Sequence, residues 1–171
     1  MATGTAGGSA NNGDGGAPPG PAPMFRGVTE LTLDAKGRLA IPARHRDVVL
    51  GYGDGRLILT IDPSHCLLLY PFAVWKPLEA RLMGLSAFNE KIRSLQRRLV
   101  GYADDVDIDA SGRILVPPAL RAFAHLDKEV VLVGQGHRFE LWDAAGWTAQ
   151  TAQAIAFEAG GLPPELDGFS L

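Results

Sequence analysis

The sequence predicts an α+β fold made of two tandem ββαββ repeats, each followed by a helix. The first observation is a repeated segment: residues 31–42, LTLDAKGRLAIP, recur as residues 106–117, VDIDASGRILVP, at an offset of 75. The second is that the match resumes between residues 69–75 and 141–147 at an offset of 72. The third is that apolar and polar residues alternate inside the repeats, whereas residues between them follow helical spacing. A unit of roughly 45 residues has therefore been duplicated.

Each repeat begins with a hairpin. Leu31 and Leu33 alternate with polar neighbours in the first copy, and the second copy keeps this pattern, which is typical of a strand with one buried face. A tight turn containing Gly37 or Gly112 follows, because glycine adopts a positive φ without steric cost. The strand after the turn ends at a proline in both copies.

A short helix and two further strands complete each repeat. Proline has a fixed φ that suits the first helical position, so the two prolines predict where these helices begin. The strands are apolar runs joined by turns rich in glycine, proline and small polar residues. The predicted helices span residues 42–49 and 117–124, and the predicted strands span residues 57–61, 66–70, 130–133 and 139–142.

Helices are also predicted after each repeat. Residues 73–101 differ in character from the strands, and within them four apolar residues lie on one helical face. Ser86 is the predicted N-cap of this helix and Gly101 its C-terminal stop. A matching helix is predicted at residues 144–159. The four residues of the apolar face are Phe88, Ile92, Leu95 and Leu99.

These elements divide the chain into two domains with loose ends. Residues 24–103 are predicted to form the first domain with a helical hairpin, and residues 104–160 the second domain with a C-terminal helix. Residues 1–23 consist almost entirely of small, polar and proline residues, which bury too little surface to offset the entropy of ordering, so we expect a disordered tail. Residues 161–171 are predicted to form a second loose tail. The segment at residues 24–27 is predicted to begin the folded protein, which makes Met24 a candidate start of translation.

Composition argues against several classes of protein. The longest nearly apolar run, residues 66–75, is about half of the roughly 20 residues that a membrane-spanning helix requires. Cys66 is the single cysteine, which allows no internal disulfide, and the four histidines lack metal-ligand spacing. The first residues lack the features of a secretory signal. We therefore expect a cytoplasmic protein without metal, cofactor or membrane association.

The basic residues are concentrated in the first half of the chain. The formal net charge is −3, yet residues 26–103 contain 12 basic and 7 acidic residues, whereas residues 104–148 contain 4 and 8. Lysine and arginine residues cluster in residues 26–46 and again in residues 91–98. For the second cluster, the solvated face of a helix is the favoured interpretation. An acidic protein with this asymmetry can still present a basic face to nucleic acid.

The repeated Asp-x-x-Gly-Arg turn is the strongest functional signal. In the first copy, Asp34 can accept hydrogen bonds from the turn and can also face Arg38. Arg38 suits bidentate recognition of phosphate or guanine, and Lys36 adds a mobile charge. A surface ion pair is the simpler interpretation of a single copy. A carboxylate dyad of Asp34 and Asp109 is disfavoured, because an arginine beside each carboxylate keeps it ionised. We expect no enzymatic activity.

These motifs, with the segment MFRG at residues 24–27 and the run Arg97-Arg98-Leu99, resemble the MraZ family of bacterial regulators, which are built from two SpoVT-AbrB-like domains. The resemblance implies a swapped-hairpin, AbrB-like β-barrel and a ring-shaped homo-oligomer. It also implies sequence-specific binding to tandem repeats of double-stranded DNA in the promoter of the division and cell wall gene cluster, and hence association with the nucleoid.

The resemblance also implies which residues form the site. The DNA-contacting turn corresponds to Lys36 and Arg38, and basic residues of the first strand and first helix are expected nearby. The predicted DNA-binding residues are Arg26, Lys36, Arg38, Arg44, Arg46 and Arg113, and the predicted turn-structuring residues are Asp34, Gly37, Asp109 and Gly112. A second hypothesis is an AbrB-type, antitoxin-like module that uses its basic face to bind an acidic protein.

Overall fold

The computed structural model describes residues 23–159, 161 and 163–166. The tails predicted at residues 1–23 and 161–171 lie mostly outside this range. The strands are β1 (Phe25–Thr32), β2 (Arg38–Ala40), β3 (Arg56–Asp62), β4 (Cys66–Pro71), β5 (Asp104–Asp107), β6 (Arg113–Leu115), β7 (Glu129–Gly136) and β8 (Arg138–Asp143). The α-helices are α1 (Ala43–Tyr52), α2 (Phe72–Met83), α3 (Glu90–Leu99), α4 (Pro118–Phe123) and α5 (Ala144–Ala159), and a 3₁₀ turn spans Pro164–Leu166.

The two repeats exchange their first hairpins. A six-stranded antiparallel sheet has the order β1-β7-β8-β4-β3-β5, so the first strand of each repeat pairs with the third strand of the other. The remaining hairpin strands, β2 and β6, pair with each other as a two-stranded ribbon. This arrangement confirms the predicted α+β fold with swapped hairpins. The strands at the two edges of the sheet, β1 and β5, each lead through a glycine turn into the ribbon.

The ribbon covers a core on one face of the sheet. Leu39 and Ile114 point inward from the ribbon and are almost completely buried. They pack with the inward residues of the sheet, among them Leu57 and Leu59 of β3. Burying side chains of this size stabilises the fold by about 1.5–3 kcal/mol each. Helices α1 and α4 contribute Val49 and Leu120 to the same core.

Three helices cover the opposite face of the sheet. Strand β3 is buried on both faces, so Ile58 and Thr60 point away from the ribbon. The Thr60 hydroxyl donates a 2.7 Å hydrogen bond to the carbonyl oxygen of Leu99 at the end of α3. Trp75 of α2 is buried and Trp147 of α5 is partly buried in the same cluster. No helix in the described part of the chain is long and apolar enough to span a membrane.

The helix starts differ from the sequence prediction by a few residues. Pro42 is the N-cap of α1 rather than its first residue, because its carbonyl oxygen accepts the first helical hydrogen bonds. The Asn89 side chain, not Ser86, caps α3 and accepts bonds from the backbone N–H groups of the next turn. Phe88 therefore precedes the helix and is 98% exposed instead of packing on its apolar face.

Candidate nucleic-acid interface

The first hairpin turn is held by a single carboxylate. Asp34 Oδ1 accepts hydrogen bonds from the backbone N–H groups of Lys36 and Arg38, both at 2.9 Å. Asp34 Oδ2 accepts a 2.6 Å bond from Arg38 Nε. The N–H of Gly37, whose φ is +80°, donates to the Asp34 carbonyl oxygen. Because only glycine adopts this conformation without penalty, aspartate and glycine together specify the turn.

The second hairpin turn repeats this geometry. Asp109 Oδ1 accepts bonds from the backbone N–H groups of Ser111 at 2.8 Å and Arg113 at 2.9 Å. Arg113 Nε donates to Asp109 Oδ2 at 3.2 Å, and Gly112 has a φ of +76°. The two turns differ in their exposed cation, because a serine replaces Lys36. Only the first turn therefore combines a lysine with its arginine.

Both turn aspartates are anions at neutral pH. The backbone hydrogen bond from Arg38, helped by its side chain and by the Lys36 amide, lowers the pKa of Asp34 to about 2. The backbone hydrogen bond from Arg113, with that of Ser111, lowers the pKa of Asp109 in the same way. Each carboxylate thus forms its hydrogen bonds and its ion pair within its own turn. They do not form a pair that shares a proton, as a catalytic carboxylate dyad requires.

The salt bridges orient the two turn arginines. Arg38 and Arg113 each bind their aspartate through Nε. Their terminal nitrogens form no hydrogen bond with any residue that the structure describes. A guanidinium group presents bidentate donors to guanine or phosphate. The turn therefore fixes each arginine at Nε and leaves its terminal nitrogens without a described protein partner.

The ribbon places both arginines on one exposed face. Arg38 lies opposite Leu115, and Ala40 lies opposite Arg113 in the antiparallel register. Because side chains alternate along a strand, the intervening residues fill the core and the arginines point to solvent. The turns lie at opposite ends of the ribbon. Gly37 and Gly112 are four residues apart along the ribbon, which is about 13 Å at the usual strand rise of about 3.3 Å per residue.

Each turn also carries an arginine from the helix of the other repeat. Arg121 of α4 lies on Gly37, where an added Cβ would stand 2.5 Å from Cζ of that arginine. Arg46 of α1 lies on Gly112 in the same manner, and its Nη2 donates a 3.0 Å bond to the Ile41 carbonyl oxygen. Arg46 thus lies at the second turn rather than the first, and its contact with DNA stays a prediction. Arg121 is absent from the sequence-based site, although the offset of 75 makes it the counterpart of Arg46.

Two further arginines of the predicted site lie away from the first turn. Arg44 Nη2 donates a 2.8 Å bond to Thr29 Oγ1, and its guanidinium packs against Gly27, the third residue of β1. Arg26 is exposed near the start of the same strand, about 26 Å along the chain from Asp34 at about 3.3 Å per residue. Any DNA contact by these side chains belongs to a different part of the surface from the turn.

The second basic cluster of the sequence lies on the other side of the sheet. It belongs to α3, which packs on the face of β3 opposite the ribbon. Lys91, Arg93 and Arg97 are exposed there, and Arg98 is partly buried. The two basic clusters therefore do not form one continuous surface.

Comparison with known proteins identifies the family. A family model described as "MraZ protein, putative antitoxin-like" matches residues 24–98 and 99–160. A protein named transcriptional regulator MraZ from Nitrosospira multiformis is 60% identical over 148 residues, which cover 86% of this chain and all of the relative. Proteins of the same name from Thiobacillus denitrificans and Methylobacillus flagellatus are 57% and 53% identical over the same shares. The relatives are named as regulators rather than as enzymes. With both repeats matched and the whole length of these relatives covered, this chain belongs to the MraZ family.

Proposed function

We propose that this protein is a transcriptional regulator that binds double-stranded DNA in a sequence-specific manner through the exposed face of its ribbon. One observation carries the proposal: Arg38 and Arg113 stand on the same solvent face, each fixed through Nε with its terminal nitrogens free of described partners. The name of the relatives, transcriptional regulator, supports the same class of function.

The dimensions of the ribbon suit the major groove. This groove of B-DNA is about 12 Å wide and admits a two-stranded ribbon. The turns, about 13 Å apart, would span about four base pairs at 3.4 Å each. Arg38 would read a guanine edge or grip a phosphate, and Lys36 would add a phosphate contact. Arg26 and Arg44 would contact the DNA backbone farther along.

The first turn is proposed as the stronger of the two contacts. Ser111 replaces the exposed Lys36, so the second turn has one cation fewer. The strand that leads into it, β5, also carries exposed Asp104, Asp105 and Asp107, which repel phosphate. Arg113 therefore contributes less to DNA affinity than Arg38.

Several copies would act together on DNA. A ribbon that spans about four base pairs makes a small interface, so one copy binds weakly. We propose a ring-shaped homo-oligomer that places several ribbons on tandem repeats, where affinity comes from multivalency. The proposed target is the promoter of the division and cell wall gene cluster, including that of the protein's own gene. Such a regulator acts in the cytoplasm at the nucleoid.

A salt titration tests the proposal. Affinity is measured for a duplex from upstream of the protein's own gene and for a scrambled duplex of equal length and composition. The expected result is a preference for the promoter duplex and a linear fall of log affinity with log salt concentration. Equal affinity for the two duplexes would contradict sequence-specific regulation.

The second candidate is an antitoxin-like module that binds a protein. The description of the family favours it, and so does the separation of charge between the two halves of the chain. An acidic protein would then bind the basic residues of the first half. This candidate predicts no preference between the duplexes in the same titration.

A further inference from the structure

The contact of each hairpin turn with an arginine of the opposite repeat is reciprocal. Arg121 of the second repeat lies on Gly37 of the first, and Arg46 of the first repeat lies on Gly112 of the second. A backbone hydrogen bond also joins the two repeats at this turn: Val116 N–H donates to the Gly37 carbonyl oxygen at 2.9 Å. Each turn therefore contacts an arginine and a backbone N–H group of the other repeat.

The contact is close and buries the Nε atom of each guanidinium. The Cβ of a residue at position 37 would stand 2.5–2.7 Å from Cζ, Nε and Nη1 of Arg121. The Nε atoms of Arg121 and Arg46 are buried without a hydrogen-bond acceptor among the described residues. Burying a donor without a partner is unfavourable. Packing on the Gly37 backbone is the described contact of the Arg121 guanidinium, whereas Arg46 is also held by its bond to the Ile41 carbonyl oxygen.

We infer that Arg121 is a positioning residue that holds the first turn in the conformation that contacts DNA, and that Arg46 does the same for the second turn. This inference rests on the proposed function. It gives the acidic second repeat a part in recognition, because its helix α4 supports the turn that carries Lys36 and Arg38. A preformed turn avoids the loss of entropy that ordering on DNA would cause.

The chemistry of the contact separates positioning from direct phosphate binding. A planar guanidinium packs flat against a backbone, whereas the compact ammonium of lysine does not. Lysine does bind phosphate as a point charge. Arg121→Lys should therefore behave like Arg121→Gln if the residue positions the turn, and like the wild type if it binds phosphate.

The experiment compares four variants of the full chain: Arg121→Gln, Arg121→Lys, Arg46→Gln as the matched contact on the other turn, and Arg38→Gln as the direct-contact reference. Amide hydrogen exchange of residues 35–38 and 110–113 is measured without DNA. Affinity for the duplex from upstream of the protein's own gene is then measured across a range of salt. Circular dichroism verifies that each variant is folded.

The expected result has three parts. Both Arg121 variants raise amide exchange in the first turn only, and they weaken promoter binding about tenfold with an unchanged salt slope. Arg46→Gln raises exchange in the second turn only, and it weakens promoter binding less than either Arg121 variant does. Arg38→Gln, which removes a proposed base contact, weakens promoter binding about tenfold or more.

Two results would overturn the inference. Unchanged exchange in the first turn of both Arg121 variants would show that the contact does not hold the turn. A salt slope that falls by about one in Arg121→Gln and is restored in Arg121→Lys would identify a phosphate contact. If the wild type itself prefers no duplex, the proposed function and the effect of Arg121 on DNA binding both fail, while hydrogen exchange still decides whether Arg121 orders the turn.

Discussion

Replacing Gly37 by alanine should change both the free energy of unfolding and the conformation of the first turn. The φ of +80° places this residue in the left-handed region, where a side chain costs about 1–2 kcal/mol. The new Cβ would also stand 2.5 Å from Cζ of Arg121. Because that group is the end of a flexible side chain, it can move away at little further cost. We expect Gly37→Ala to lower the free energy of unfolding by about 1–2 kcal/mol.

Gly136 provides a matched control. Its φ is +71°, but no heavy atom lies within 4 Å of the position of an added Cβ. Gly136→Ala should therefore be destabilised by the same amount, about 1–2 kcal/mol. The two variants differ in Arg121, which is displaced only by alanine at position 37. Promoter affinity should consequently fall about tenfold or more in Gly37→Ala and stay within about twofold of the wild type in Gly136→Ala.

Urea denaturation at matched protein concentration and a promoter-binding titration measure these two effects. A loss of stability in Gly37→Ala that exceeds that of Gly136→Ala by about 3 kcal/mol would mean that Arg121 stays in place and the core is overpacked. Equal promoter affinity of the two variants would refute the argument that the conformation of the first turn governs DNA binding.

Three further predictions concern single side chains. The pKa of Asp34 is lowered from 3.8 to about 2 on folding, so its stabilising effect is complete above about pH 4 and is lost as the pH falls to about 2. Asp34→Asn should flatten the pH dependence of the unfolding midpoint in that window. Asn89→Ala should lower stability by about 1 kcal/mol in urea denaturation through loss of the α3 cap, whereas Ser86→Ala should have almost no effect. Cys66 is buried, and burial raises the pKa of its thiol, so a thiol reagent should label it only after denaturation.

The duplication made most strands predictable from sequence. Each strand occurs in two copies with the same alternation, so one copy corroborates the other, and β4 starts at the predicted Cys66. The α5 bounds also agree with the prediction. Strand exchange is not encoded in local pattern, because pairing of β1 with β7 satisfies the same alternation as pairing within one repeat. The resemblance to a family, rather than periodicity, predicted it.

The candidate site was partly predictable for the same reason. The Asp34 turn is local, so spacing within five residues was enough to propose its hydrogen bonds. The partner of Gly37 is Arg121, which depends on the exchange of hairpins and lies in the other repeat. The start of α3 was ambiguous because Ser86 and Asn89 are both good N-caps, and residue type alone does not rank them.

The central claim is that the first turn reads DNA through Arg38. Its most direct test is a binding titration of Arg38→Gln and Arg113→Gln against the duplex from upstream of the protein's own gene and its scrambled counterpart. We expect Arg38→Gln to remain folded but to lose its preference for the promoter duplex, whereas Arg113→Gln keeps most of it. Retention of the full preference by Arg38→Gln would show that the first turn does not select the promoter through Arg38.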